Sequence, residues 1–568
     1  MPVALRELGM TLCLADVGGD AGGTWAQRYD PTGHWWLTTV CAAVPLLVLL
    51  ALLLGARMKA HRASLIALVA LMVVAVALFR MPVKLAALAT GYGVAYGLFP
   101  IAWIVLPVIF LYELTVHAKR FELLQQCFTG VTQDARLQLL LIAFALGAFF
   151  EGAAGFGTPV AVCGTLLIGI GFAPLEAAAL ALLANTAPVA FGGLGTPVVA
   201  LHGVTGLDLR LLSRMIGILL TPFCVLVPFW LIAVFAGWRR MVEVWPAILL
   251  SGVLFGGVQL LVASLHGPWL VNIAASVVTM AAQVLFFRVW RPRRILGPRL
   301  EEIAAGEETL CRPSRALVVR AMLPWAVLTL FVALWGTPVF ARWSGSFSAV
   351  TVAVRGLDGV VLRMPPVVAA AHAETAVFAF DWLSATGTGI FIAAWIAGFA
   401  MRLRVGEILM VLRRTLWKTR YTVITIAALM GFGFLMRFCG IDGVLGLACV
   451  RTGKLYPFFG TLIGWIGTAS TGSDTSSNVL FGSLQKLTAL QLGIPAVVMA
   501  AANSGGGVMG KMIAPQSVVV ASTAAGIYGS EGAILRRVAL HSLLLASLMG
   551  AVALVAVHVP AMVRLASQ

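Results

Sequence analysis

From Trp35 to Val559 the chain returns repeatedly to stretches of about 20 apolar residues, each bounded by a short polar connection. A helix of that length crosses a bilayer core about 30 Å thick, whereas a barrel strand needs only about 10 residues. Long apolar stretches with every backbone group paired internally are therefore helices, since lipid offers those groups no partner. Of the 568 residues 61% are hydrophobic and only 11% charged, a balance that excludes an ordinary soluble domain. The pattern predicts an all-α, polytopic transmembrane helical bundle of about 12 to 14 spans. Plain scaffold spans fall at 35–54, 64–79, 91–111, 215–236, 244–265, 269–287, 321–340, 386–401, 421–436 and 538–559.

The formal net charge of +17 does not form the continuous basic stripe of a nucleic-acid binder; it sits in clusters between apolar spans. Residues 288–320 hold Arg291, Arg293, Arg294, Arg299, Arg312 and Arg315, and the connection at 402–420 holds Arg404, Arg413, Arg414 and Lys418. The positive-inside rule puts both in the cytoplasm. Between them, the loop 341–383 balances Arg355 and Arg363 against Asp358, Glu374 and Asp381 and is expected outside. Eight cysteines are scattered singly, so free structural thiols are expected. Residues 1–28 read as an appendage without a signal-like apolar core, leaving the first span to drive entry into the membrane.

Two regions differ in texture, 137–207 and 456–526, with scaffold spans at 29–136, 208–287 and 321–455 and a closing span in 527–568. The first carries Phe150-Glu151-Gly152-Ala153-Ala154-Gly155-Phe156-Gly157-Thr158-Pro159, then Ala184-Asn185-Thr186-Ala187-Pro188, then Gly192-Gly193-Leu194-Gly195-Thr196-Pro197. The second carries Thr468-Ala469-Ser470-Thr471-Gly472-Ser473-Asp474-Thr475-Ser476-Ser477-Asn478, then Ala502-Asn503-Ser504-Gly505-Gly506-Gly507, then Gly510-Lys511-Met512-Ile513-Ala514-Pro515-Gln516-Ser517. Each has an acidic, small-residue break, an apolar helix, an Ala-Asn-Thr/Ser step, a glycine cluster and a proline leading an apolar run. Matched interruptions of this kind are the signature of a secondary transporter built from two repeats, whose discontinuous helices meet near the midplane. An inverted relation between the repeats is the working expectation.

Half-helix N-termini offer free N–H groups and a partial positive charge to a carboxylate. Gly155 and Gly157 let an anion approach the backbone. Hydroxyls of Thr158, Thr186, Ser473, Thr475, Ser476 and Ser504 and amides of Asn185 and Asn503 are candidates to read a 2-hydroxyl. The competing reading is that small residues here only permit close helix packing. Glu151, Asp474 and Lys511 are ionisable groups at membrane depth, where a charge is costly and function is the default expectation. The two carboxyls suit a co-transported proton. Lys511 either neutralises the substrate carboxylate or forms a permanent bridge with Asp474. His202 reads as a solvated loop residue, and Arg437 as a snorkelling anchor at a span end. No phosphate loop, metal-ligand spacing, cofactor motif or nucleophile–base pair is present in the sequence, so neither a cofactor nor a metal is expected.

These strings resemble those of the L-lactate permease family, as do Tyr29-Asp30-Pro31, Pro100-Ile101-Ala102-Trp103, Arg136-Leu137-Gln138, Met364-Pro365-Pro366-Val367 and Phe380-Asp381-Trp382-Leu383-Ser384-Ala385-Thr386-Gly387. The resemblance covers nearly everything after Thr24. It implies proton-coupled uptake of L-lactate, D-lactate and glycolate through the cell inner membrane. Thr158, Ala514, Ser504-Gly505, Arg437 and Lys486 depart from the family pattern and bear on substrate preference. A sodium-coupled carrier of another small carboxylate is the alternative.

Overall fold

The computed structural model describes residues 23–56, 58–120, 123, 131–155, 157–303, 315–335, 337–368, 370–527, 529–560 and 564. Residues 1–22 of the expected appendage, Phe156 and Arg312 lie outside them.

The chain is helical nearly throughout. Helices α1 (Trp35–Leu50), α2 (Ala60–Ala77), α3 (Val83–Tyr96) and α4 (Trp103–His117) open it. The first broken region forms α5 (Ala135–Ala153), α6 (Thr158–Gly169), α7 (Pro174–Ala184) and α8 (Gly192–Thr205). Scaffold helices α9 (Leu209–Ala236), α10 (Trp245–Leu265), α11 (Val271–Val289) and α12 (Arg315–Trp335) follow. After α13 (Pro338–Ser348) come α14 (Thr386–Ala400), α15 (Val405–Cys439) and α16 (Ile441–Val450). The second broken region forms α17 (Tyr456–Thr471), α18 (Asp474–Gln491), α19 (Ala496–Gly510) and α20 (Pro515–Ala524), and α21 (Glu531–Ala556) closes the fold. Among the described residues ten helices are long and apolar enough to cross a membrane, eleven if the bent pair α7–α8 is one span. The larger number expected from sequence arises because several broken-region helices are too short to cross alone.

The breaks turn the chain back. Cys163 donates its thiol to the Ile142 carbonyl at 3.1 Å, so α5 and α6 lie antiparallel, with Ala154, Gly155 and Gly157 at their tip. In the second region Ser477 donates to the Gly464 carbonyl at 2.9 Å and Gln485 to the Gly460 carbonyl at 2.7 Å, pairing α17 with α18 around a tip at Gly472-Ser473. Glycine supplies the left-handed backbone at both tips, with φ of +88° at Gly157 and +77° at Gly472. Pro159 sits in the first turn of α6, where its missing N–H costs nothing, and the Ser473 hydroxyl caps α18 by accepting from the Ser476 N–H. A different break separates α7 and α8, which meet at 68° with Gly193, Leu194 and Gly195 all left-handed.

The hairpins are anchored to two different connections, one before α12 in the sequence and one after it. The open end of α5–α6 is tied to the basic connection, where the Ala135 N–H donates to the Leu296 carbonyl at 2.8 Å. The open end of α17–α18 is tied to the loop 341–383, where Gln491 donates to the Pro366 and Val367 carbonyls at 2.8 and 2.7 Å. Packing between the regions is reciprocal: α6 lies against α20, and α8 lies against α18.

The loop 341–383 folds into strands. β1 (Trp25–Ala26) pairs in parallel with β3 (Val361–Arg363), β3 pairs antiparallel with β4 (His372–Ala373), and β2 (Ala349–Ala353) pairs antiparallel with β5 (Val377–Asp381). A buried ion network holds this cap to the bundle. Arg363 pairs with Glu374 and with Asp442 at 3.0 Å, and Arg437 pairs with Glu374 at 2.6 Å. Arg437 is thus a paired residue and not the snorkelling anchor expected. Burial alone would raise the Glu374 carboxyl, but Arg437 and Arg363 outweigh it and hold the carboxyl below its ordinary range. Burial pushes the Tyr29 hydroxyl up to about 12, so it stays protonated and donates to Gln27 at 2.8 Å. The described cysteines, Cys41, Cys163, Cys224, Cys439 and Cys449, are free.

Candidate functional site

A cavity of about 310 Å³ lies between the two hairpin tips and the breaks that follow them. Gly155 and Gly157 face it from the first tip, and Thr471, Gly472, Ser473, Asp474, Thr475 and Ser476 from the second. Gly192, Gly193 and Thr196 at the start of α8, and Lys511, Gln516 and Ser517 around the α19–α20 break, complete the polar wall. Glu151 reaches it from the last turn of α5. The cavity extends to Ala60 and His61 at the start of α2 and to Tyr421 and Thr425 on α15, where Tyr421 is exposed and stacks on His61 at 4.3 Å.

The two carboxyls are seated alike. Each is buried and sits beside the tip of its hairpin, Glu151 at the end of α5 and Asp474 at the start of α18. Each also lies against a glycine of a later helix of its region, Glu151 against Gly192 of α8 and Asp474 against Gly507 of α19. Among the described residues neither forms an ion pair, and the hydrogen-bond partners are neutral. The Asn185 amide donates to Glu151 at 3.0 Å. Ser504 donates to Asp474 at 2.6 Å, and Thr468 and Asn478 lie at 3.5 and 3.4 Å. Behind Asp474 the polar chain continues: Asn503 donates to Asn478 at 2.9 Å, Gln485 to Asn503 at 3.1 Å, and Tyr456 to Gln485 at 2.7 Å.

Lys511 donates to the Gly472 carbonyl at 2.7 Å and makes no ion pair among the described residues. The permanent Lys511–Asp474 bridge considered from sequence is therefore replaced by a cation held at the rim of the second tip. From there it acts electrostatically on both Glu151 and Asp474. One positive group thus faces two carboxyls across a single polar cavity.

Of the residues singled out from sequence, Glu151, Gly155, Gly157, Ser473, Asp474, Thr475, Ser476 and Lys511 line the cavity. Asn185, Asn503 and Ser504 stand one layer back, holding the carboxyls or their partners. Thr186 is turned to the Leu183 carbonyl at 2.7 Å, and Thr158 opens α6 without lining the cavity. His202 binds the Leu207 carbonyl at 2.6 Å in its own loop. Sequence reading missed Thr196, Thr471, Gln516, Ser517, His61 and Tyr421. Gln516 and Ser517 were legible, because they continue the polar string begun at Lys511. His61 lies in the basic stretch before the span 64–79 and Tyr421 at the edge of the span 421–436, and neither carried a signal.

Comparison with known proteins places this geometry in a family. The sequence profile described as L-lactate permease matches residues 38–560. The glycolate permease GlcA of Escherichia coli strain K12 is 40% identical over 551 residues, covering 94% of this chain and 98% of its own. The L-lactate permease of Salmonella typhimurium strain LT2 is 39% identical over 537 residues, covering 93% and 97%. That of Bacillus subtilis strain 168 is 38% identical over 542 residues, covering 92% and 96%. A multi-pass helical membrane protein with two broken regions around one polar cavity, this chain belongs to the L-lactate permease family.

Proposed function

We propose that the protein is a secondary active transporter that takes up L-lactate, and with it D-lactate and glycolate, across the inner membrane in symport with protons. One observation carries the reading: Lys511 and the buried carboxyls Glu151 and Asp474 surround a single cavity sized for a small organic acid. Lys511 and the N–H groups at the start of α18 neutralise the substrate carboxylate. Hydroxyls of Ser473, Thr475 and Ser476, joined by Thr196 and Gln516, read the 2-hydroxyl. Glu151 and Asp474 carry the proton, because a buried carboxyl without a cationic partner is cheapest when neutral. Thr158, Asn185, Thr186, Asn503 and Ser504 act as positioning residues.

The hairpins, tied to the connections that precede and follow α12, and the reciprocal packing of α6 on α20 and α8 on α18, support an inverted repeat. Such a pair alternates access by moving against the scaffold around one fixed site. The cavity reaches the exposed Tyr421, next to the basic segment 402–420 that the positive-inside rule assigns to the cytoplasm, so this conformation reads as inward-facing.

The test is uptake of labelled L-lactate by proteoliposomes under an imposed proton or sodium gradient, competed with D-lactate and glycolate. Accumulation should follow the proton gradient and be displaced by both competitors. Accumulation driven by sodium alone, with the proton gradient collapsed, would overturn the coupling and favour the sodium-linked carrier.

A further inference from the structure

Helix α11 carries Asn272, Ser276, Thr279 and Gln283 at a spacing that places all four on one face. All four side chains are buried. Both ends of this face meet α5. Asn272 packs on Gly152, the neighbour of Glu151, and donates to the Pro188 carbonyl at 2.6 Å, while Gln283 reaches the Leu140 carbonyl at 3.4 Å.

What marks this face is the number of polar atoms without a protein partner. Asn272 Oδ1, Ser276 Oγ, Thr279 Oγ1 and Gln283 Oε1 are buried and unpaired among the described residues, and so is Asn185 Oδ1, whose amide holds Glu151. Many helical serines and threonines elsewhere in this chain return their hydroxyls to the carbonyl four residues back, as Thr221, Ser251 and Thr329 do, although Ser213 on α9 does not. Ser276 and Thr279 do not. Opposite them α5 is wound over Leu140–Leu146 as a π-helix, a wider turn often found at functional positions. Buried polar groups in native proteins are satisfied by protein or by water, and a buried water makes about three hydrogen bonds.

We propose that this face of α11 holds a file of ordered water that carries the proton between Glu151 and the basic face of the membrane, separately from the substrate cavity. The file starts at Asn185 and Asn272 and ends at Gln283. One turn of α5 beyond Leu140, Arg136 pairs with Asp134 and with Glu243, whose side chain is partly exposed. The inference rests on Glu151 being a proton carrier. Lys511 and Asp474 are the charged groups facing Glu151 across the cavity. Protonated Glu151 gives its proton to the first water and is left as a carboxylate. Each water passes one proton on and receives one, and a hydronium leaves at the Glu243 end. A carboxyl that shares its cavity with a bound anion can thereby lose its proton while the anion still blocks the mouth.

The test compares wild type with the near-isosteric double variant Ser276→Ala/Thr279→Val and with Thr279→Ser. Proton-driven lactate accumulation and lactate–lactate counterflow, which needs no net proton movement, are measured in proteoliposomes in light and heavy water. The double variant should lose most accumulation and keep counterflow, with a larger heavy-water slowing than wild type, while Thr279→Ser retains both activities. Accumulation and counterflow falling together, or neither changing, would overturn the water file and leave the symport reading intact. Wild-type uptake indifferent to a proton gradient would overturn both.

Discussion

The carboxylate of Asp474 occupies the space where a side chain on Gly507 would begin, and Glu151 does the same to Gly192. Two glycines on separate broken helices thus hold the only room in which the two buried acids fit. Gly507→Ala sets a methyl group against Asp474 and against Thr468, and overpacking of this kind costs about 1 to 3 kcal/mol. Uptake should be lost in Gly507→Ala and in Gly192→Ala while protein still reaches the membrane, measured as transport per unit of purified carrier.

Lys511 is held by a backbone carbonyl, not by an acid, so its charge remains available to an incoming anion. Replacing it by alanine removes a charge-assisted contact of about 1.5 to 3 kcal/mol, equivalent to about tenfold or more in affinity. Uptake kinetics of Lys511→Ala should show a half-saturation raised by that factor with the protein folded. An unchanged value would leave Lys511 a purely structural tie to Gly472.

Glu151→Gln and Asp474→Asn keep the shape and most hydrogen bonds of each site but remove the titrating group. Both variants should exchange labelled for unlabelled lactate yet fail to concentrate it against a proton gradient. Normal accumulation in both would dismiss them as proton carriers.

At the cap formed by the loop 341–383, Glu374 is held below its ordinary range by Arg437 and Arg363. A depressed carboxyl contributes stability that is fully present above the unfolded value, about 4.3, and lost as pH falls through the lower folded value. Glu374→Gln leaves the buried Arg363 and the half-buried Arg437 short of charge and should cost on the order of 3 kcal/mol. Melting of the purified protein at neutral pH should drop, and its decline towards acid pH should flatten relative to wild type.

The broken regions were legible because Gly, Pro, Ser, Thr and acids at membrane depth have no cheap explanation except a wet or protein-lined site. The direction of the chain after each break was not. Whether α6 continues α5 or folds back on it depends on contacts such as Cys163 with Ile142, which no local pattern encodes. Arg437 was misread for the same reason: its partner Glu374 lies in another element. Asn185 and Asn503 were found as polar residues at depth, but their place behind the carboxyls is a matter of side-chain direction. Several strings of the family likeness proved to be joints of the scaffold. The Asp30 carboxylate accepts from Thr38 at 2.6 Å at the head of α1, and the Pro366-Val367 carbonyls anchor the second hairpin through Gln491.

The cavity that reaches from Tyr421 to Glu151 and Asp474 also shapes the electric field. Water in it brings one aqueous phase up to the carboxyls, so the membrane voltage falls mainly across the layer that separates them from the opposite face. Each elementary charge carried through that layer feels about 2.3 kcal/mol per 100 mV. A monocarboxylate accompanied by one proton is neutral there and crosses without regard to voltage, whereas a second proton on the other carboxyl would make the same step electrically driven.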